Sequence, residues 1–255
     1  MNGFRPRLVA FVGGKVAALI LFASGSWPAA FGAWFAMDAW LFWQMFCPSA
    51  DGLGPVVTRF KPGGKEVWLT IDDGPDPGQT PAILELLAAH EARATFFVIG
   101  RLAAAHPELI RAMLAGGHEV ALHTHTHPAK SFWIAGPQRV ARELDQNIAA
   151  VRAAGVRPRL FRAPVGLKSV WLHPALAGRR LICVAWSTRG RERSGPDAQA
   201  VCQRLWRKVE PGAILLMHEG EPVPPAIRVV AIQQTLERLT REGYRAVIPR
   251  SDQFA

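Results

Sequence analysis

The spacing of apolar residues changes character along the chain. Two nearly unbroken apolar runs open it. Leu8–Ala23 is interrupted only by Gly13, Gly14 and Lys15, while Trp27–Cys47 is rich in Trp and Phe and carries Asp38. A membrane-spanning helix takes about 20 apolar residues, so the second run is long enough and the first is marginal. Ser24-Gly25-Ser26 between them is short enough to join two antiparallel helices. Lys15 and Asp38 would each cost about 3 kcal/mol in hydrocarbon, and a hairpin brings them to similar depth, where they can pair. A cleaved signal peptide is the competing reading, with Arg5 and Arg7 as its basic region and Ala23-Ser24-Gly25 as its cleavage site. Apolar character resumes at once after that point, which a mature soluble domain would not want. Residues 1–47 are therefore expected to form a membrane-anchoring helical hairpin.

Residues 48–64 are rich in Gly and Pro and read as a linker. The remainder, 65–255, alternates short apolar runs with longer amphipathic ones. The strand candidates are 66–71, 94–99, 118–122, 159–163, 181–186, 213–217 and 244–248, with helical patterns near 81–90, 101–116, 138–154, 198–208 and 228–242. Seven β-runs each followed by helix or loop predict a parallel α/β fold. Every strand reads as buried on both faces, so a distorted seven-stranded (β/α) barrel explains the pattern better than an open sheet. In such barrels the chemistry gathers at the C-terminal strand ends. Here those ends carry Asp72-Asp73, His123 to His127, Arg162-Ala163-Pro164 and His218-Glu219.

Composition adds two constraints. The formal charge is +10, and almost all of the surplus lies beyond residue 58, on the predicted folded domain. That favours anionic partners. No aromatic-basic recognition motif accompanies it, so a membrane surface or a phosphate-bearing substrate ranks ahead of nucleic acid. Cys47, Cys183 and Cys202 have no metal-type spacing and read as reduced thiols.

Adjacent residues on a regular strand point to opposite faces. Asp72 and Asp73 can serve one site only where the strand breaks, and Gly74-Pro75 breaks it there. Side by side, one carboxylate can ligate a cation while the other accepts protons; the pair alone could equally be a capped turn. In His123-Thr-His125-Thr-His127, a helical stretch would put His123 and His127 on one face, and an extended one would align all three. Two His plus one carboxylate, with a position left for water, is a standard hydrolytic zinc arrangement.

Five ordered segments resemble the NodB-type polysaccharide deacetylases, carbohydrate esterase family 4. They are Leu69-Thr-Ile-Asp-Asp-Gly-Pro75, Ala94-Thr-Phe-Phe-Val-Ile-Gly100, Gly117-His-Glu-Val-Ala-Leu-His-Thr-His-Thr-His-Pro128, Phe161-Arg-Ala-Pro-Val-Gly166 and Ile214-Leu-Leu-Met-His218. The similarity spans about residues 66 to 248. The resemblance implies that Asp72 is the general base and that Asp73, His123 and His127 hold one divalent metal ion, Zn2+ or a similar ion such as Co2+. It leaves His125 on a variable position, which favours the turn-of-helix reading. It also implies that Arg162 orients the base, that Val165 offers a backbone N–H to the oxyanion, that Leu216 lines the acetyl pocket and that His218 is the general acid.

Two departures bear on the substrate. Val165 stands where the family usually has an aromatic residue. The region that normally supplies an acid-tuning Asp reads Trp186-Ser-Thr-Arg-Gly-Arg-Glu192, with Glu192 as the replacement and Asp197 as a poorer candidate. The expected activity is removal of an N-acetyl group from an amino sugar that is lipid-linked or otherwise membrane-proximal, with Trp186 and Leu216 shaping the pocket. Alternatives on the same fold are a deformylase acting on a lipid-linked amino sugar and a non-catalytic carbohydrate-binding module. With two membrane spans the positive-inside rule puts the catalytic domain in the cytosol; with one, it faces outward into the periplasm. Membrane lipid is an expected partner, and nucleic acid is not.

Overall fold

The computed structural model describes residues 4–192, 197–220 and 223–254. Helices α1 (Phe4–Ala23) and α2 (Trp27–Phe46) form the N-terminal hairpin. Lys15 Nζ donates to Asp38 Oδ1 at 2.6 Å and to the Trp34 carbonyl at 3.0 Å, so the two charges predicted to meet do meet. The expected spanning character is a correction, because among the described residues no helix is long and apolar enough to cross a membrane. Asp38 and Gln44, together with Trp residues whose indole N–H groups are polar, dilute the apolar content of α2. The hairpin nevertheless leaves Phe22, Trp27, Phe31, Phe35, Phe42 and Trp43 more than half exposed.

Sequence and structure differ next at the linker. Residues 48–64 are not a free connector, since they contain strand β1 (Val56–Val57), which pairs in parallel with β6 (Ile182–Val184). Lys168 ties the same segment down: its buried Nζ donates to the carbonyls of Cys47 (2.8 Å), Pro48 (3.1 Å) and Ala50 (2.6 Å). Burial lowers the proton affinity of this amine, and the carbonyls are what its ammonium has in place of water.

The other strands are β2 (Glu66–Asp72), β3 (Ala94–Val98), β4 (Glu119–Leu122), β5 (Leu160–Phe161), β7 (Thr188–Arg189), β8 (Ile214–His218) and β9 (Arg245–Ala246). Pairing runs β1-β6-β5-β4-β3-β2-β8-β7, with β9 added beside β2. Every pairing between these strands is parallel. The sheet curls toward a barrel without β1 and β7 pairing, so nine strands among the described residues replace the seven predicted. Helices α3 (Thr80–Ala89), α4 (Gly100–Ala105), α5 (Pro107–Ala115), α6 (Pro137–Ala153), α7 (Leu172–Gly178), α8 (Ala198–Trp206) and α9 (Pro225–Arg241) cover it. The single helix expected over 101–116 is two, because Pro107 lacks the N–H that would continue α4 and disfavours helical backbone at His106.

The period of two along each strand divides the core. Val67, Leu69, Ile71, Phe96, Val120, Leu122, Leu215 and Met217 belong to the main cluster with the helices, whereas Trp68, Phe97, Ala121, Leu160, Val184 and Ile214 form a second cluster inside the curl. Trp68 stacks on Phe254 at the closed end, ring centroids 5.5 Å apart, and its Nε1 donates to Thr95 Oγ1 at 2.8 Å. The inward set continues by the same parity to Asp72, His123, Arg162, Trp186, Leu216 and His218 at the open end. The interior cluster and the catalytic rim are thus one alternation read from bottom to top.

Replacing Lys168 with Ala is expected to lower stability by roughly 3 kcal/mol, because three carbonyls lose a charged donor; chemical unfolding of the two proteins measures it.

Candidate active site

Asp72 and His218 are register partners on neighbouring strands β2 and β8, so both side chains enter the mouth of the curl at the same height. Asp72 is buried, and its Oδ1 accepts from Arg162 Nη1 at 2.6 Å. Arg162 is itself 1% exposed. Its remaining donors go to Thr70 Oγ1 (2.8 Å), the Val184 carbonyl (3.3 Å) and the Ala185 carbonyl (2.8 Å), and its guanidinium lies 4.0 Å over the Phe97 ring. Its satisfied fork holds the Asp72 carboxylate in one orientation.

Strand β2 ends at Asp72, and Asp73 turns to φ 76. That left-handed residue sends the second carboxylate to the same side as the first. His123 Nε2 lies 3.5 Å and His127 Nε2 3.2 Å from Asp73 Oδ1. The Nδ1 of His123 is 2.9 Å from the Arg162 carbonyl oxygen. A carbonyl only accepts, so Nδ1 carries a hydrogen and Nε2 is the atom turned toward Asp73 Oδ1. A proton on Nε2 can bridge the two, and a cation can take that proton's place. The ligand atoms of Asp73, His123 and His127 lie within 4.8 Å of one another, and this donor set fits a divalent ion of the zinc type. Burial disfavours charge on Asp73, but the hydrogen bond and charge of His123, helped by His218 and His127, hold its carboxyl well below the usual carboxylate range.

The histidine segment is neither helix nor strand, which corrects the turn-of-helix expectation. It is a bend in which Thr124 (φ 63) and His127 (φ 53) take left-handed backbone. His125 faces away from the metal-type cluster; its Nδ1 is the closest atom to where a side chain at Gly100 would begin. Left-handed backbone is unfavourable for non-glycine residues, and α6 supplies the compensation. Glu143 accepts from the His125 and Thr126 N–H groups, each at 2.8 Å, and from Thr126 Oγ1 at 2.5 Å. Asn147 donates to the Thr124 carbonyl at 2.7 Å and to Val98 at 3.0 Å. Neither residue was singled out from the sequence. The signal was present: Glu143 and Asn147 sit in the buried stripe of α6 with Val140, Leu144 and Val151.

On the opposite wall, His218 Nδ1 is 3.1 Å from Glu192 Oε2. Glu192 is 1% exposed. Burial works against protonation of His218, but the hydrogen bond and charge of Glu192, followed by Asp72 and Asp73, outweigh it and raise its pKa above the ordinary value. Asp197 is not at the site; it caps α8 by accepting from the Ala200 N–H at 2.7 Å. Next to His218, burial first and then the charges of Asp76 and Asp73 push the Glu219 carboxyl up to about 8, and Thr80 Oγ1 donates to it at 2.5 Å. The cleft between these walls has a volume of about 340 Å³. Asp72, Asp73, His123, His127, Glu192 and His218 line it, with Val165, Trp186, Leu216, Arg189 and Arg191. Val165 has φ 50 and is 40% exposed, on a loop pressed against the linker: a side chain at Gly166 would strike Pro48 and Trp186.

A family model described as polysaccharide deacetylase matches residues 60–176. A chitooligosaccharide deacetylase of Sinorhizobium fredii is 42% identical over 168 residues, covering 65% of this chain and 77% of the relative. The chain belongs to the polysaccharide deacetylase family. A peptidoglycan-N-acetylglucosamine deacetylase of Bacillus cereus is 30% identical over 185 residues, covering 72% of this chain and 85% of that one. Among solved structures, the family 4 carbohydrate esterase from Streptomyces lividans in complex with acetate superposes with a TM-score of 0.67 at 29% identity, covering 75% of this chain and 97% of that one. The relatives are named as deacetylases, and this polysaccharide deacetylase is accordingly an enzyme of the hydrolase class acting on carbon–nitrogen bonds.

Two measurements probe the supports of the cleft. Glu143→Ala is expected to weaken metal binding by about 10- to 100-fold, as loss of groups that orient ligands does; titration of the apo-protein with Zn2+ reads it. Glu192→Gln removes the charge that holds the proton on His218. The pKa of that imidazole then falls, so the alkaline limb of the kcat/KM profile moves to lower pH, by about one unit. An unmoved limb would mean that His218 is not the acid the profile reports.

Proposed function

We propose that this polysaccharide deacetylase is a metal-dependent N-deacetylase of an amino sugar presented at a membrane surface on a lipid or other membrane-proximal carrier. At the level its relatives share, it is a deacetylase of the chitooligosaccharide or peptidoglycan N-acetylglucosamine type. The observation that carries the catalytic reading is the pairing of Asp72 and His218 across one cleft, with Asp73, His123 and His127 converging beside them.

A divalent ion held by Asp73, His123 and His127 would supply a water of lowered pKa and polarise the acetyl carbonyl. Asp72, fixed by Arg162, takes the proton of the attacking water at its carboxylate. In the family pattern the Val165 N–H receives the negative charge that grows on the carbonyl oxygen. Leu216, 2% exposed, forms the apolar end that suits an acetyl methyl. His218 delivers its proton to the departing amine nitrogen, and Glu192 favours the protonated imidazole. An amine without that proton is a poor leaving group.

The finer substrate reading has two supports. Val165 offers a small side chain where an aromatic sugar platform is usual, which weakens the case for a long polymer lying across the cleft. The exposed Trp and Phe side chains of the hairpin suit the boundary between headgroups and acyl chains, and the tie from Lys168 holds the hairpin's end beside the cleft.

Acetate release from N-acetylated chitooligosaccharide by the Zn2+-loaded enzyme tests the catalytic reading. Asp72→Asn and His218→Ala are each expected to lower kcat by about 10² to 10⁴, with Asp72→Asn still binding metal. Turnover surviving both substitutions would overturn the assignment.

A further inference from the structure

A second groove continues from the catalytic cleft and shares Trp186, Arg189 and Arg191 with it. It adds Arg204, Arg207 and Lys208 from the end of α8 and the residues that follow, together with Ser187 and Thr188, and its volume is about 360 Å³. Among the described residues, five cationic side chains line it and no carboxylate does. Elsewhere on this surface cations find acids: Arg59 pairs with Glu210 at 2.5 Å and Arg179 takes Asp145 at 2.6 Å. Among the described residues no carboxylate lies within 4 Å of Arg189, Arg204, Arg207 or Lys208. Glu192, the nearby acid that eases the charge on Arg189, is committed to His218.

Such a gathering of like charges is costly, and part of it is already out of water. Burial, and then the charge of Arg191, lowers the proton affinity of the Arg189 guanidinium. Arg189 also lies 5.6 Å over the Trp186 ring, which gives it a fixed seat at the junction of the two grooves. The Ser187 and Thr188 hydroxyls are committed to the Thr58 and Leu205 carbonyls, so the guanidinium and ammonium groups are what an incoming phosphoryl group meets.

We propose that this groove binds a phosphoryl group carried by the acylated amino sugar itself, so that the enzyme acts on a sugar phosphate ester or diphosphate rather than a neutral glycan. The inference rests on the amino-sugar deacetylase reading of the adjoining cleft. A carboxylate on the glycan brings a single charge, whereas a phosphate monoester or diphosphate brings more charge and a larger set of acceptor oxygens to share among these cations. Continuity through Trp186 and Arg189 puts the phosphoryl group on the same molecule as the reacting N-acetyl group. The carrier beyond the phosphorus, lipid or nucleoside, lies outside the groove's chemistry.

The test uses the full metal-loaded chain, calorimetry, and two probes: N-acetylglucosamine 1-phosphate and the neutral methyl glycoside of N-acetylglucosamine. The phosphate is expected to bind at least about tenfold tighter, with a preference that shrinks as salt rises. In Arg207→Gln/Lys208→Gln, two exposed positions chosen to spare the fold, the ratio is expected to fall toward one. Equal affinities in the wild type, or a ratio that the double variant leaves in place, would overturn the proposal. Acetate release from UDP-N-acetylglucosamine and from a polyprenyl-diphosphate-linked N-acetylglucosamine then distinguishes a nucleotide carrier from a lipid one. Phosphate preference without acetate release from any substrate would instead count against the deacetylase reading and leave the groove standing.

Discussion

One buried residue joins the two halves of the catalytic machinery. The Arg162 side chain fixes Asp72, and its backbone carbonyl accepts the Nδ1 hydrogen of His123. The base and the first histidine of the metal-type cluster are therefore registered to the same residue, at the end of a strand only two residues long. A fully buried guanidinium is costly unless every donor is used and its charge is matched. Thr70, two backbone carbonyls and the Asp72 carboxylate give each of its three nitrogens a partner and match the charge, and three of these partners come from the strands on which the site is built. Removing Asp72 would strand a buried cation as well as remove a base, so base and orienter cannot be varied independently.

Around that pair the backbone is held in unfavourable conformations. Asp73, Thr124, His127 and Val165 all take left-handed φ without being glycine. Each redirects a side chain, or a backbone group, that a regular strand end would send elsewhere. Clamps outside the cleft hold these bends: Glu143 and Asn147 from α6 grip the histidine loop, and Gly166 lets the Val165 loop press against Pro48 and Trp186. The cleft's shape thus depends on Glu143, Asn147 and Pro48, which are not among the residues that line it.

This division explains what the sequence disclosed. Strands β2, β3 and β4 were visible because a strand buried on both faces reads as a continuous apolar run, and the rim followed from where those runs stop. Strands β1 and β7 were not visible, because two residues in a Gly/Pro-rich or basic setting carry no periodicity; pairing with β6 and β8 is what makes them strands. The break between α4 and α5 has a local signal in Pro107. The histidine bend lay beyond local reading, since its conformation is set by hydrogen bonds from residues 143 and 147. The two apolar runs correctly foretold two helices and the meeting of Lys15 with Asp38, but not whether those helices are apolar enough to span.

The linker gives the hairpin a mechanical role that does not depend on its surroundings. Lys168 follows the Val165 loop by three residues and grips the chain where α2 ends, while the Lys168 N–H donates to the Met45 carbonyl at 2.9 Å. Phe46 packs against Trp133, ring centroids 5.0 Å apart, a few residues beyond the histidine bend. A tilt of α2 would act through these contacts on the Val165 loop and on the segment that follows the histidine bend. The basic groove meets the cleft at Trp186, Arg189 and Arg191. The proposed phosphoryl-bearing substrate would reach from that groove into the cleft through Trp186 and Arg189. The same close linkage argues that the hairpin and the barrel work as one unit, with the N-terminal helices helping to set the geometry of the site.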